Sequence, residues 1–289
     1  MSTALPNRRV EAWKYSDLAA ALPGRTLPAD THGSVIERLA GGSAVVEAAP
    51  GAVETVLERF GEEGASLDAR ATTAIVHEGA TLDRIVIQTG GDVRLSHWRV
   101  EVRAGGRFRQ FIYAEGARLA RLETDVVVAG AGAAVELRGA YLVAEGRHAD
   151  LTSVVHHREA GGATHQLVKG VARAGGRGVF QGKILVAAHA QKTDARQNHH
   201  ALLLEDGAEA FAKPELEIHA DDVACAHGNT VGGLDDMALF YMRSRGLPDG
   251  EARALLVAAF LSEAVPESLA ADVRDEILGR MHAWLEAGQ

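Results

Sequence analysis

Cys225 is the only cysteine in a chain of 289 residues, and His227 follows two positions later in the run DDVACAHGNTVGGLDD (221–236). A thiolate and an imidazole both ligate soft and borderline metals. Two residues apart on an extended strand, they project from one face about 6.6 Å from each other, at ~3.3 Å per residue. Ligand counting limits what the pair does alone. Structural zinc and iron–sulfur clusters draw on about four protein ligands, mostly thiolates, and this chain offers a single thiol. A site of that type must be completed from outside the chain. At neutral pH a free thiol is only slightly ionised, so the metal itself has to drive its deprotonation. The plainer reading is a small, apolar cysteine beside a surface histidine, since free cysteine is among the most buried residue types.

Extended backward, the run reads PELEIHADDVACAHG (214–228). Leu216, Ile218, Ala220, Ala224 and Ala226 share one parity; Glu215, Glu217, His219, Val223, Cys225 and His227 share the other. On a continuous strand the first set faces the core and the second faces outward, and a bend at Asp221–Asp222 would reset this. Nine of the thirteen histidines fall between His148 and His227, several as adjacent pairs such as His156–His157. Neighbours in a strand point to opposite faces, so such a pair cannot share one mononuclear site. The stretch GGRGVFQGKI (175–184) lacks the spacing and the Ser or Thr of a phosphate loop, and GAGAAV (130–135) lacks the third glycine and the helix of a dinucleotide fingerprint. No nucleotide is expected on this chain. His148, Asp150 and Ser153 lie close in sequence, which by itself does not make a hydrolytic triad.

The elements that would position these residues fall into three regions. Residues 1–65 mix helix-like segments, Ser16–Leu22 and Ala52–Phe60, with glycine and proline breaks. From 66 to 235 short alternating runs follow, as in Val100 and Val102 between Arg99, Glu101 and Arg103, with glycine-rich turns between them. About fifteen short strands without intervening helices fit a sandwich, a barrel or a parallel β-helix. The glycine pairs are unevenly spaced, so periodicity does not single out a solenoid. Residues 236–289 turn helical. Asp235 caps a helix bearing Leu239, Phe240 and Met242 that stops at Gly246; Pro248 opens a second with Leu255, Leu256, Ala259 and Phe260 on one face. A third carries the stripe Ile277, Met281, Trp284 and Leu285. These faces could pack on the β body or dock a partner, with Leu239, Phe240, Trp284 and Leu285 as the docking candidates.

A net charge of −9 argues against broad phosphate contact and so against nucleic acid. The longest apolar run, Ala254–Leu261, is far short of a membrane span. One cysteine leaves no internal disulfide, and the N-terminus shows no apolar leader core. A cytoplasmic setting is the expectation.

The region from His148 to Val265 resembles the SufD family, a scaffold subunit of the Suf iron–sulfur cluster assembly machinery. The resemblance is carried by HADLTSVVHH (148–157), HQLVKGV (165–171), GVFQGKILV (178–186), AQKTDARQNHHALLL (190–204), PELEIHADDVACAHG (214–228) and LFYMRSRG (239–246), with RRVEAWKYSDL (8–18) similar to the family's opening motif. It implies a mainly β protein, a right-handed parallel β-helix flanked by N- and C-terminal helical regions. It also implies a complex with the paralogue SufB and the ATPase SufC, the latter on the C-terminal helices. The cluster would be transient and shared with SufB, with His227 as a ligand at that interface and Cys225 beside it. SufB-like proteins carry further sulfur-accepting cysteines that this chain lacks, so the resemblance implies the partner subunit and a non-catalytic role. The chain is shorter than many relatives, in its N-terminal half. Other assignments for such a chain are a β-helix enzyme acting on polysaccharide or a homo-oligomeric metal-binding protein, and a homodimer is an alternative assembly for the chain alone.

Overall fold

The computed structural model describes residues 4–28, 33–61 and 65–287. Fourteen strands among them form two seven-stranded sheets, parallel throughout. The first sheet takes β1 (Ala44–Ala48), β3 (Leu67–Val76), β5 (Val93–Val102), β7 (Leu119–Val128), β9 (His148–His157), β11 (Arg177–Val186) and β13 (Glu209–Ile218). The second takes β2 (Val53–Phe60), β4 (Thr81–Gln88), β6 (Arg107–Ala114), β8 (Ala134–Val143), β10 (Ala163–Ala172), β12 (Asp194–Leu203) and β14 (Ala224–Gly232). Each strand crosses to the other sheet before the chain returns one rung higher. The result is a parallel β-helix, as the resemblance implied.

One corner of each coil needs a left-handed residue, and glycine supplies it at Gly51, Gly79, Gly105, Gly132 and Gly161. Each of these amides donates to the corner carbonyl of the next coil, as Gly79 does to Ala104 and Gly105 to Ala131. In the sixth coil Lys192 takes the same conformation, with φ 63°, and donates to Asp222. These positions lie 26 to 31 residues apart, so the repeat is real but its length drifts, which is why uneven glycine spacing concealed it. Ala52–Phe60, expected as helix, is strand β2. Val56 and Glu58 lie opposite Arg84 and Val86 of the next coil, and that pairing overrides the local helical pattern. Strand pairing thus begins at Ala44, ahead of the boundary expected near residue 66.

Side chains of alternate parity fill the space between the sheets. Val76, Leu82, Val102, Phe108, Val128 and Val135 form one part of this interior, all nearly inaccessible to water. Two histidines, His157 and His199, also lie fully buried there, and His148 is buried under the N-terminal segment. Burial pushes all three down to about 4, with the Asp150 carboxylate partly opposing this at His148. Unfolded, each binds a proton near its ordinary value of ~6.5; folded, each stays neutral until about pH 4. The unfolded chain therefore binds more protons across that window, and stability should fall as pH drops from ~6.5 to ~4, by up to ~1.4 kcal/mol per pH unit per histidine. Urea denaturation at pH 7.5 and pH 5 checks this; equal midpoints at the two values would contradict it.

Three helices follow the last strand, α3 (Asp236–Ser244), α4 (Asp249–Ser262) and α5 (Ala271–Glu286); α1 (Leu18–Ala21) and α2 (Val35–Ala40) precede the first. Asp235 caps α3 as expected, accepting from the amides of Met237 and Ala238. Helices α4 and α5 pack on the outer face of the second sheet, where Val257, Leu261, Ile277, Met281 and Leu285 meet Ile85, Ile87, Phe111 and Tyr113. The expected face of α4 is corrected in part: Val257 and Leu261 are buried against the sheet and Phe260 packs partly into the same cluster, while Leu255 is 47% exposed. Burying such aliphatic side chains contributes ~1.5–3 kcal/mol each, enough to hold both helices down.

Candidate functional site at the open end of the β-helix

Strand β14 is the last of its sheet, so no further coil covers what it turns inward. Its register sets Ala195 beneath Cys225, Gln197 beneath His227 and His199 beneath Asn229. Those three β12 residues are wholly buried and face the lumen. Cys225, His227 and Asn229 therefore also face the lumen side, at its uncovered mouth. This corrects the parity expected from a continuous strand. The bend at Asp221–Asp222 separates β13 from β14, and Leu216 and Cys225, of opposite parity, both pack against the same interior cluster. What survives is the pairing itself: thiol and imidazole lie on one face, and the imidazole is exposed.

Cys225 is half-buried. Burial raises its pKa, a backbone hydrogen bond with Ala195 opposes this, and the nearby Asp194 carboxylate adds to the rise. The thiol is thus poorly ionised until a cation is at hand, and reactivity follows the thiolate. Two residues beyond His227, Asn229 Oδ1 lies 2.7 Å from His199 Nδ1, and His199 Nε2 lies 3.0 Å from Tyr141 Oη. The His199 ring also stacks on Phe180, with centroids 5.0 Å apart. These contacts tie the end strand to the interior, and its pairing with β12 sets the height at which His227 stands. Among the described residues no group of three or more His, Cys, Asp or Glu is arranged to hold a metal ion, so Cys225 and His227 stand as a pair.

The residues named for partner docking separate. Leu239 and Leu285 are buried, and Trp284 packs into the cluster under α4 and α5. The Arg173 guanidinium lies 4.0 Å from the Trp284 ring and donates to the carbonyls of Trp284 and Leu285, satisfying the end of α5. Leu285 and part of Trp284 are thus taken up in holding α5 to the body, and Leu239 is buried within the chain. Phe240 is different, 68% exposed on α3 beside Met237 and Tyr241, both also exposed.

Ser153 faces the lumen, where Gln166 Nε2 donates to its hydroxyl at 2.6 Å, whereas Asp150 and His148 face outward. They form no triad. Instead Asp150 accepts from Ser16 at 2.5 Å, Arg121 at 2.7 Å and Thr152 at 2.8 Å, and Ser16 Oγ lies 3.0 Å from His148 Nε2. Arg121 also lies 4.3 Å from the Trp13 ring centroid. The WKYSDL stretch (13–18) is thereby fastened across the first sheet.

Residues 33–260 match the SufBD core domain of SUF-system FeS cluster assembly. The chain belongs to the SufBD family. Among the relatives of this SufBD-family chain is the iron–sulfur cluster assembly protein SufD of Escherichia coli, 33% identical over 173 residues, 60% of this chain and 41% of that protein. An iron–sulfur cluster assembly SufBD family protein of Mycobacterium tuberculosis is 29% identical over 304 residues, 98% of this chain and 75% of the relative. The chloroplastic protein ABCI7 of Arabidopsis thaliana is 35% identical over 162 residues, 56% of this chain and 34% of its own length. The match thus spans less than half of the E. coli SufD sequence. Family membership joins this chain to iron–sulfur cluster assembly, and among the described residues no helix is long and apolar enough to cross a membrane.

Proposed function

We propose that this chain is a non-catalytic scaffold subunit on which an iron–sulfur cluster is built as cargo, at a boundary shared with a SufB-like paralogue and driven by a SufC-like ATPase. The observation that carries this is the open final rung: a lumen-side thiol and an exposed imidazole on an end strand, with too few donors to close a coordination sphere. His227 supplies a neutral nitrogen ligand, Cys225 supplies a thiolate once the metal displaces its proton, and the paralogue supplies the remaining ligands. Mixed nitrogen and sulfur ligation makes such a cluster easier to hand on than one held by four thiolates. ATP chemistry stays with the partner, and the assembly works in the cytoplasm, without nucleic acid or membrane.

The polysaccharide-enzyme alternative fits the surface poorly. Several carboxylates along the outer wall are paired with arginines, Asp83 with Arg109, Glu136 with Arg138 and Asp194 with Arg196, whereas glycoside cleavage needs two carboxyl groups flanking the bond. Co-expression with SufB-like and SufC-like chains tests the proposal. The expected result is a stable complex with an iron–sulfur absorption band; a chain that assembles only with itself and carries metal alone would favour the homo-oligomeric alternative.

SufC-like capture is assigned to α3, where Met237, Phe240 and Tyr241 give an apolar patch on the outermost helix. Phe240→Asp should reduce ATPase co-purification at least ~10-fold, as loss of an aromatic anchor does at other interfaces, without changing the thermal midpoint. Undiminished capture by that variant would remove α3 from the docking surface.

A further inference from the structure

The lumen directly beneath His227 holds a side chain with no role so far. Inward residues of the second sheet stack in columns, and one column runs Arg84, Gln110, Leu137, Gln166, Gln197 and His227 toward the open end. Its lower polar members each find at least one partner: Arg84 donates to Gln110 at 2.6 Å, and Gln166 Nε2 donates to Ser153 at 2.6 Å while its Oε1 has none. Gln197 does not. It is wholly buried, and neither its Nε2 nor its Oε1 has a hydrogen-bond partner. Native interiors rarely leave a buried amide unpaired, and such groups point to a ligand, a moving partner or ordered water. Across the lumen stands Gly182, where an added Cβ would overlap the Gln197 amide. The lumen gives up a side chain on one wall to accommodate an amide on the other.

We infer that Gln197 is the positioning residue for His227. This rests on the reading of His227 as a cluster ligand. Strands paired in a sheet lie ~4.8 Å apart, so the amide, which lies against Gly182, reaches the imidazole on the next rung once both side chains turn toward each other. An exposed side chain changes rotamer on a picosecond-to-nanosecond scale, and a turn of the His227 ring toward the lumen brings one nitrogen to the amide. The amide carries both a donor and an acceptor. Pairing with one ring nitrogen selects the tautomer and aims the other nitrogen at the open end, as second partners do for histidines that bind metals.

The test reads the ring itself, without metal. The full chain, labelled with 15N-histidine, is compared as wild type, Gln197→Met and Gly182→Ala by long-range 1H–15N correlation at pH 8. One dominant His227 tautomer is expected in wild type, with a mixture like that of free histidine in both variants. Gln197→Met fills the lumen without an amide, and it decides the matter should Gly182→Ala fail to fold. The same complexes co-expressed with the SufB-like and SufC-like chains should show iron content reduced ~10-fold in Gln197→Met. An identical tautomer pattern in wild type and Gln197→Met would overturn the inference and leave the amide to ordered water. A shifted tautomer with unchanged iron content would uphold Gln197 as the partner of His227 and count against His227 as a ligand.

Discussion

His227→Ala should leave the β-helix intact and reduce the iron–sulfur content of the co-expressed complex at least ~10-fold, since removing a ligand costs no less than removing a ligand's supporting partner. The two halves of this expectation have separate causes. An exposed imidazole on an end strand buries little surface, and surface substitutions away from packed features usually stay within ~0.5 kcal/mol. The end strand itself is held by Asn229, through His199 and Tyr141, and that chain is untouched by the substitution. Thermal unfolding of the isolated chain, together with iron and sulfide analysis of the complex, checks both halves. Wild-type cluster content in the variant would remove His227 from the site; a large drop in the melting midpoint would show that the imidazole is structural.

Asp150→Ala should cost about 3 kcal/mol, because a fully buried carboxylate that accepts from Ser16, Arg121 and Thr152 is lost at once. Arg121 keeps its second partner, Glu123, at 2.5 Å, which holds the cost below that of a completely abandoned charge. Solenoids lose structure locally, as their contacts are between neighbours. The first consequence should therefore be release of residues 5–22, read as a rise in proteolytic cleavage there and exposure of Trp13, now 5% accessible. Protection equal to wild type would show that the apolar contacts of Trp13, Leu18 and Leu22 hold the segment without the polar cluster.

Much of this is legible in the sequence. Alternation at Val100 and Val102 gave their burial correctly, because a strand with one wet face leaves a period of two in the sequence. The cap at Asp235 and the stripe Ile277, Met281 and Leu285 were equally plain. Four features were not. The parity of Cys225 turns on a two-residue bend, and a single such step exchanges the faces of everything after it. The Asp150 cluster joins residues 134 positions apart through Ser16, a relation with no local signature. The column under His227 depends on coils whose lengths differ, so Gln166 and Gln197 align only once each corner has been placed. Trp284 and Leu285 show a fourth difficulty, since an amphipathic stripe looks the same whether its apolar face meets the body or a partner.

The central claim is that this chain and a second one share one cluster. Electron–nuclear double resonance on the reduced complex addresses it directly, with 15N-histidine in this chain only and the SufB-like and SufC-like chains unlabelled. A 15N coupling to the cluster that vanishes in His227→Ala is the predicted result. A cluster with no nitrogen coupling from this chain, or one whose coupling persists in that variant, would contradict it.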